Sequence, residues 1–185
     1  RPWDPGLGRR HVREAVDASL RRLGIDVNRD TRIDVDDVKA LTRAQAVDIY
    51  IEHYFTRPGL GALPEVLQAS VFDMYVNAGG NAVKILQRLL NDRGHGLTVD
   101  GVIGPQTAEA AHLAYANAPR HLADAYGIAR RNYYYALGDR RPASRKFARR
   151  RDGGKGGWIV RAEEFIAPRY RLSEAQHRAR VAAWA

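Results

Sequence analysis

Apolar residues recur at three- and four-residue steps through most of this chain, and strict alternation is almost absent. That period fits helices with one buried face and excludes a sheet-dominated fold. Val12, Val16, Leu20 and Leu23 share one such face. A second helix is expected to start near Thr42, a hydroxyl N-cap, after Val38 and Leu41. Further helices are expected over Leu63 to Val76, around Val83 to Leu90, from Thr107 to Ala116, from Leu122 to Leu137 and from Trp158 to Ile166. Pro105 suits a first helical turn. Only the Leu97-Thr98-Val99 fragment reads as extended. Gly79-Gly80 and the stretch from Asn91 to Gly96 are the clearest interior breaks. The expected fold is therefore mostly α, divided near residue 79 into two small helical lobes, 1–78 and 79–185, that share a groove.

Composition narrows the chemistry. The 185 residues contain no cysteine, which excludes a disulfide scaffold, a thiolate metal site and a cysteine nucleophile. No apolar run reaches the length a membrane span needs, so no transmembrane segment is expected. The chain opens Arg1-Pro2-Trp3-Asp4, with neither an initiator Met nor an apolar leader, so a signal peptide is expected to be absent or already removed. The net charge is +9, but it is unevenly spread. Residues 139–185 carry 13 basic and 5 acidic groups, while residues 61–138 carry 6 of each. The block from Arg140 to Lys155 could face nucleic acid, an anionic membrane or an anionic wall polymer, or be a solvated basic loop. Gly153, Gly154, Gly156 and Gly157 within it predict a mobile loop.

The most specific local pattern is acidic. Asp26, Asn28, Asp30, Asp34 and Asp37 fall at positions 1, 3, 5, 9 and 12 of a calcium-type loop, with the Arg32 carbonyl at position 7. Thr31 stands where such loops carry glycine, and Asp37 where they carry the longer Glu. The alternative is an acidic N-cap region before Val38. A bound ion would be structural, because no neighbouring group would use it as a Lewis acid. The six histidines, His53, His112 and His121 among them, show no metal spacing.

A second pattern joins Leu86-Gln87 to Val99-Asp100-Gly101, Gly104 and Thr107. This is helix, tight turn, helix, and it resembles the signature of small helical peptidoglycan-binding modules. A turn packed for stability alone would use the same glycine and threonine roles. Upstream lies Val71-Phe72-Asp73-Met74-Tyr75-Val76-Asn77-Ala78-Gly79. Together with Gln45 to Tyr50, His53-Tyr54-Phe55, Arg131 to Tyr134, Gly157-Trp158 and Asp4-Pro5-Gly6, these strings resemble glycoside hydrolase family 108. That family comprises lysozyme-like N-acetylmuramidases with a C-terminal predicted peptidoglycan domain.

The resemblance implies a lysozyme-like helical lobe followed by a peptidoglycan-binding lobe. It implies an endolysin-like muramidase that needs no cofactor for catalysis. Peptidoglycan is the implied partner, with an anionic envelope surface behind it. Nucleic acid ranks last, because no recognition motif accompanies the charge. A monomer is expected. Action in the periplasm or cell wall would follow synthesis in the cytoplasm and release by a holin or a secretion system. The family's acid sits in a Glu-Gly-Gly motif about nine residues before its Asp-Pro-Gly; counting back from Asp4 leaves the chain, and no Glu-Gly-Gly occurs in it. The expectation is a chain cut just after the acid or a degenerate family member. Asp4 is the one catalytic candidate within the chain, and a plain Asp-Pro turn is its alternative. Asp73 and Asn77, four apart on a helix, would form a groove floor or a buried capping network. Tyr75, Tyr133 and Trp158 are candidate sugar platforms, with core packing as the alternative. A non-catalytic wall-binding protein is the competing function.

Overall fold

The computed structural model describes residues 35–184. By its contacts the chain divides between His53 and Tyr54, upstream of the boundary expected near residue 79. The helix expected over residues 12–23 lies outside the described residues.

Two helices of the first unit are described. Helix α1 (Val35–Ala40) carries Asp36 and Asp37 in its first turn, where the helix dipole favours negative charge. Helix α2 (Arg43–Ile51) starts as Thr42 predicts. The Gln45 amide donates to Thr42 Oγ1 at 3.2 Å, and Gln45 Oε1 accepts from the Thr42 amide at 2.9 Å, a reciprocal capping box.

In the second unit, helix α3 (Glu65–Ala78) buries Leu67, Ser70, Val71 and Met74. Those positions are three and four apart, so they form one stripe. Helix α4 (Asn81–Asn91) buries Val83, Leu86, Gln87 and Leu90. Helix α5 (Pro105–Asn117) begins with Pro105 and buries Thr107, Ala110, Ala111 and Ala114. Helix α6 (Leu122–Arg140) is the central element and packs against α3, α4, α7 (Arg145–Ala148) and α8 (Gly157–Glu164). Its buried face is unusual, because Tyr126, Arg130, Arg131, Tyr134 and Tyr135 supply it in place of aliphatic residues. A Cβ on Gly138 would lie 2.5 Å from the Trp184 ring, so only glycine lets the C-terminal indole dock there.

Three local features depart from the sequence reading. No strand forms at Leu97 to Val99 among the described residues. The Asn91 side chain takes the partner's place, donating to the Leu97 carbonyl at 2.7 Å and accepting from its amide at 2.6 Å. The glycine-rich stretch is a pinned turn, not a mobile loop. Gly156 donates to the Ala148 carbonyl at 2.8 Å, and Arg149 pairs with Lys155 in an antiparallel bridge. A Cβ on Gly156 would sit 2.5 Å from the Phe147 carbonyl oxygen, so the backbones meet only because that side chain is missing. Finally, helix α9 (Glu174–Arg180) has no apolar stripe to announce it. Ser173 and Gln176 cap it, and its one buried residue is His177, held at 2.7 Å from the Tyr135 hydroxyl.

Glu163, at the end of α8, ties these parts together. Its buried carboxylate accepts from Arg131 at 3.1 Å, Lys155 at 2.5 Å and the Leu172 amide at 2.9 Å. Burial raises the carboxyl's pKa, but the Lys155 and Leu172 hydrogen bonds and the neighbouring positive charges outweigh it and hold the group below its ordinary value. A depressed folded value means the stabilisation is complete above the unfolded carboxylate range, about pH 4.3, and is lost as pH falls through the folded value. The melting temperature should therefore drop below about pH 4.3, and Glu163→Gln should lower stability at neutral pH and flatten that acid limb. An acid limb identical in the variant would show that the group does not act this way.

Candidate functional site

Asp73 and Asn77 do share one face of α3, and both are engaged inside the protein. The Asp73 carboxylate accepts from Arg130 of α6 and from Arg161 of α8. Arg130 is fully buried, and its Nε and Nη1 have no hydrogen-bond partner; its guanidinium lies 5.7 Å from the Tyr134 ring centre and 5.6 Å from that of Phe165. Asn77 donates to the Tyr134 hydroxyl at 2.8 Å, which in turn donates to the Met74 sulfur at 3.0 Å. The geometry is that of a partly buried network tying α3 to α6 and α8. Asn77 and Arg161 are its exposed members.

The aromatic candidates separate in the same way. Trp158 stacks with Tyr134 and with Phe147, each at 4.8 Å, so its ring faces are already occupied. Tyr75 packs half-buried against the core. Tyr133 is also half-buried but lines an open groove. Asp4 and the loop residues Asp26, Asn28, Asp30, Arg32 and Asp34 lie outside the described residues. Asp37, the loop's last position, is described; it is buried in the first turn of α1. Among the described residues no group of three potential metal ligands converges.

The Leu-Gln and Val-Asp-Gly string turns out to be a staple. Gln87 is buried on α4, and its amide nitrogen donates to Asp100 at 2.7 Å, the Val102 carbonyl at 3.1 Å and Thr107 at 3.2 Å. Its oxygen accepts from the Gly101 amide at 2.9 Å. Gln87's hydrogen bond, with that of the Val102 amide, holds the Asp100 carboxyl below its ordinary pKa. Gly101 has φ +87°, and its Cα faces Gly80 and Lys84 so closely that a Cβ would meet both at 3.0 Å. Each motif residue therefore binds another motif residue. The string fixes α5 against α4 and leaves its own polar groups satisfied.

A groove between α4 and α6, with a volume of about 680 Å³, is open to a ligand. Ile85, Leu89, Tyr133 and Leu137 are among its apolar lining. Arg88, Asp92, Arg140 and Arg141 supply exposed charge at its edges. The sequence reading offers Tyr133 as a sugar platform and Arg140 and Arg141 as part of the basic block; Arg88 and Asp92 are not among its site residues. Their signal was present: Arg88 and Asp92 fall four apart on α4, as do Ala129, Tyr133 and Leu137 on α6. The rest of the basic block is partly consumed by the fold. Arg145 donates to the Gly138 carbonyl, Arg150 pairs with Asp152 and Lys155 with Glu163.

The arrangement in residues 54–184 suits binding better than bond cleavage. Its buried and half-buried carboxylates are Asp73, Asp124 and Glu163. Asp73 is held by two guanidinium groups, Asp124 by the Ala167 amide at 2.6 Å, and Glu163 by two cations. A general acid for glycoside cleavage must bring a free carboxyl to the scissile oxygen, and these three carboxyls are taken up by the fold.

Comparison with known proteins shows what the chain resembles. Residues 7–79 match the family model described as Glycosyl hydrolase 108. Residues 81–163 match the one described as Predicted Peptidoglycan domain, which contains the staple and the whole groove. The solved structure of SagA from Brucella abortus is 27% identical, with 80% of this chain and 68% of that chain covered and a TM-score of 0.53. No curated protein matches the chain.

Two substitutions separate fold from binding. Gln87→Ala removes four hydrogen bonds and should lower the unfolding free energy by about 2–3 kcal/mol in urea denaturation. Asp73→Asn leaves the buried Arg130 without its counter-ion and should cost about 3 kcal/mol. Unchanged stability in either variant, with loss of ligand binding alone, would reassign these residues to a ligand.

Proposed function

We propose that this chain, a member of the glycosyl hydrolase 108 family with a predicted peptidoglycan domain, is an N-acetylmuramidase. It would cleave the wall glycan between N-acetylmuramic acid and N-acetylglucosamine. Its work is related to peptidoglycan, since both matched regions, 7–79 and 81–163, point to that polymer. Their succession on one chain is the observation that carries the reading.

The two regions have different chemical duties. The groove side of the second unit offers an apolar floor and unpaired arginines, which hold a wall fragment without transforming it. Protonating the glycosidic oxygen does not fall to Asp73, Asp124 or Glu163, whose carboxylates are held by the fold. A second group would then stabilise the oxocarbenium-like centre or activate water. The same pairing also favours one competing reading, a wall-binding protein without catalysis.

Digestion of purified sacculi by the full chain, followed by mass spectrometry of the products, tests both. Muropeptides ending in reducing N-acetylmuramic acid are expected. Binding without release of fragments would leave the non-catalytic reading. Fragments with reducing N-acetylglucosamine ends would overturn the proposed bond specificity, and neither binding nor cleavage would overturn the wall reading itself.

A further inference from the structure

We infer that the groove between α4 and α6 takes the peptide stem of peptidoglycan, not its glycan. The inference rests on the wall-directed reading above and adds which part of the polymer is held, and by which residues.

Charge decides between the two parts. Arg88, Arg140 and Arg141 border the groove, and among the described residues no guanidinium of the three forms a hydrogen bond or ion pair. Elsewhere in this unit arginines are used: Arg130 and Arg161 on Asp73, Arg131 on Glu163, Arg180 on Asp139. Among the described residues the guanidinium groups of Arg120, Arg151, Arg169 and Arg178 also lack a hydrogen bond or ion pair, but none of them lines this trough, where three guanidinium groups border one apolar floor. The groove's one carboxylate, Asp92, is likewise without a partner.

The wall glycan offers these groups hydrogen-bond acceptors but no charge. Its N-acetylhexosamines are neutral, and the lactyl carboxyl of muramic acid is consumed in the amide to the peptide. The stem carries the charge. A tetrapeptide with diaminopimelate at its third position has three carboxylates: that of the γ-linked glutamate, one on the diamino acid and the terminal one. It also has a single ammonium, on the diamino acid. Three arginines and one aspartate mirror that set. Guanidinium and carboxylate pair through two parallel hydrogen bonds, the geometry that favours Arg over Lys for this task. The methyl groups of the alanines and the methylenes of the diamino acid match the floor of Ile85, Leu89 and Leu137. A volume of about 680 Å³ lies within the range of sites for ligands of this size.

Titration of the full chain with N-acetyl-L-alanyl-γ-D-glutamyl-meso-diaminopimelyl-D-alanine tests the assignment. Acetylation removes the amino terminus that the wall does not have. Binding that weakens with added salt is expected, as for any contact built on partly exposed charge. Arg88→Gln, Arg140→Gln and Arg141→Gln should each weaken it about threefold to tenfold, with melting temperatures unchanged because none of the three is used by the fold. The peptide with its carboxyls amidated should bind far less. Equal affinity for the amidated peptide, or an unaltered affinity in the triple variant, would overturn the inference. So would displacement of the protein from sacculi by a DNA oligonucleotide but not by the tetrapeptide.

Sacculi separate this failure from failure of the wall reading. Wild-type protein that binds intact sacculi as well as sacculi stripped of peptides by an amidase, with the lactyl carboxyls so released capped as methylamides, would refute the stem assignment alone. Wild-type protein that binds neither would refute the wall reading and the stem assignment with it.

Discussion

A fully buried guanidinium organises the second unit. Arg130 sits in the middle of α6 with no exposure to solvent, where an unpaired charge would be very costly. Asp73 resolves that cost, and in doing so it fixes the register of α3 against α6. Arg161 binds the other carboxylate oxygen and brings α8 to the same point. Two tyrosines complete the seam: Tyr134 links Asn77 and Met74, and Tyr126 donates to the Ala82 carbonyl at 3.1 Å. Purely apolar faces could slide along one another at small cost. This polar seam cannot, because every shift strands a buried group.

The same logic, one layer out, shapes the groove. Gln87 holds the Asp100 turn and the start of α5, so it sets which face of α4 turns inward. With Leu86, Gln87 and Leu90 committed to the interior, Arg88, Asp92 and Leu89 are left along the groove. The staple thus shapes the groove without lining it. It positions the helix whose opposite side lines the trough. This accounts for a motif that marks wall-binding modules while its own polar atoms are fully occupied.

The C-terminal basic block divides between structure and surface. Asp139 collects Arg180 and the Trp184 indole, and hydrogen bonding by Arg180 holds its carboxyl below the ordinary range. Arg145 lies over the Trp184 ring at 5.8 Å. Such cations dock the end of the chain onto α6. Arg140 and Arg141, the two residues directly after that aspartate, remain free for the groove. The net charge of this region therefore overstates what it presents to a partner.

The sequence alone determined the helical class and most helix positions, because a 3.6-residue apolar period and local capping chemistry act within a few residues. Thr42 with Gln45, Pro105 and the Gly79-Gly80 break are cases where the rule and the outcome coincide. It also carried the strings by which the chain resembles glycoside hydrolase family 108 and the predicted peptidoglycan domain. It did not decide what the polar members of those strings do. Asp73 and Asn77 read equally well as ligand groups or as a network, since their partners, Arg130, Arg161 and Tyr134, lie 57 to 88 residues away. The pinned glycine turn, the helix at Glu174–Arg180 and the groove likewise depend on contacts between distant segments. Whether a charge is spent on the fold or left for a ligand is settled by which distant side chain reaches it, and only tertiary packing fixes that.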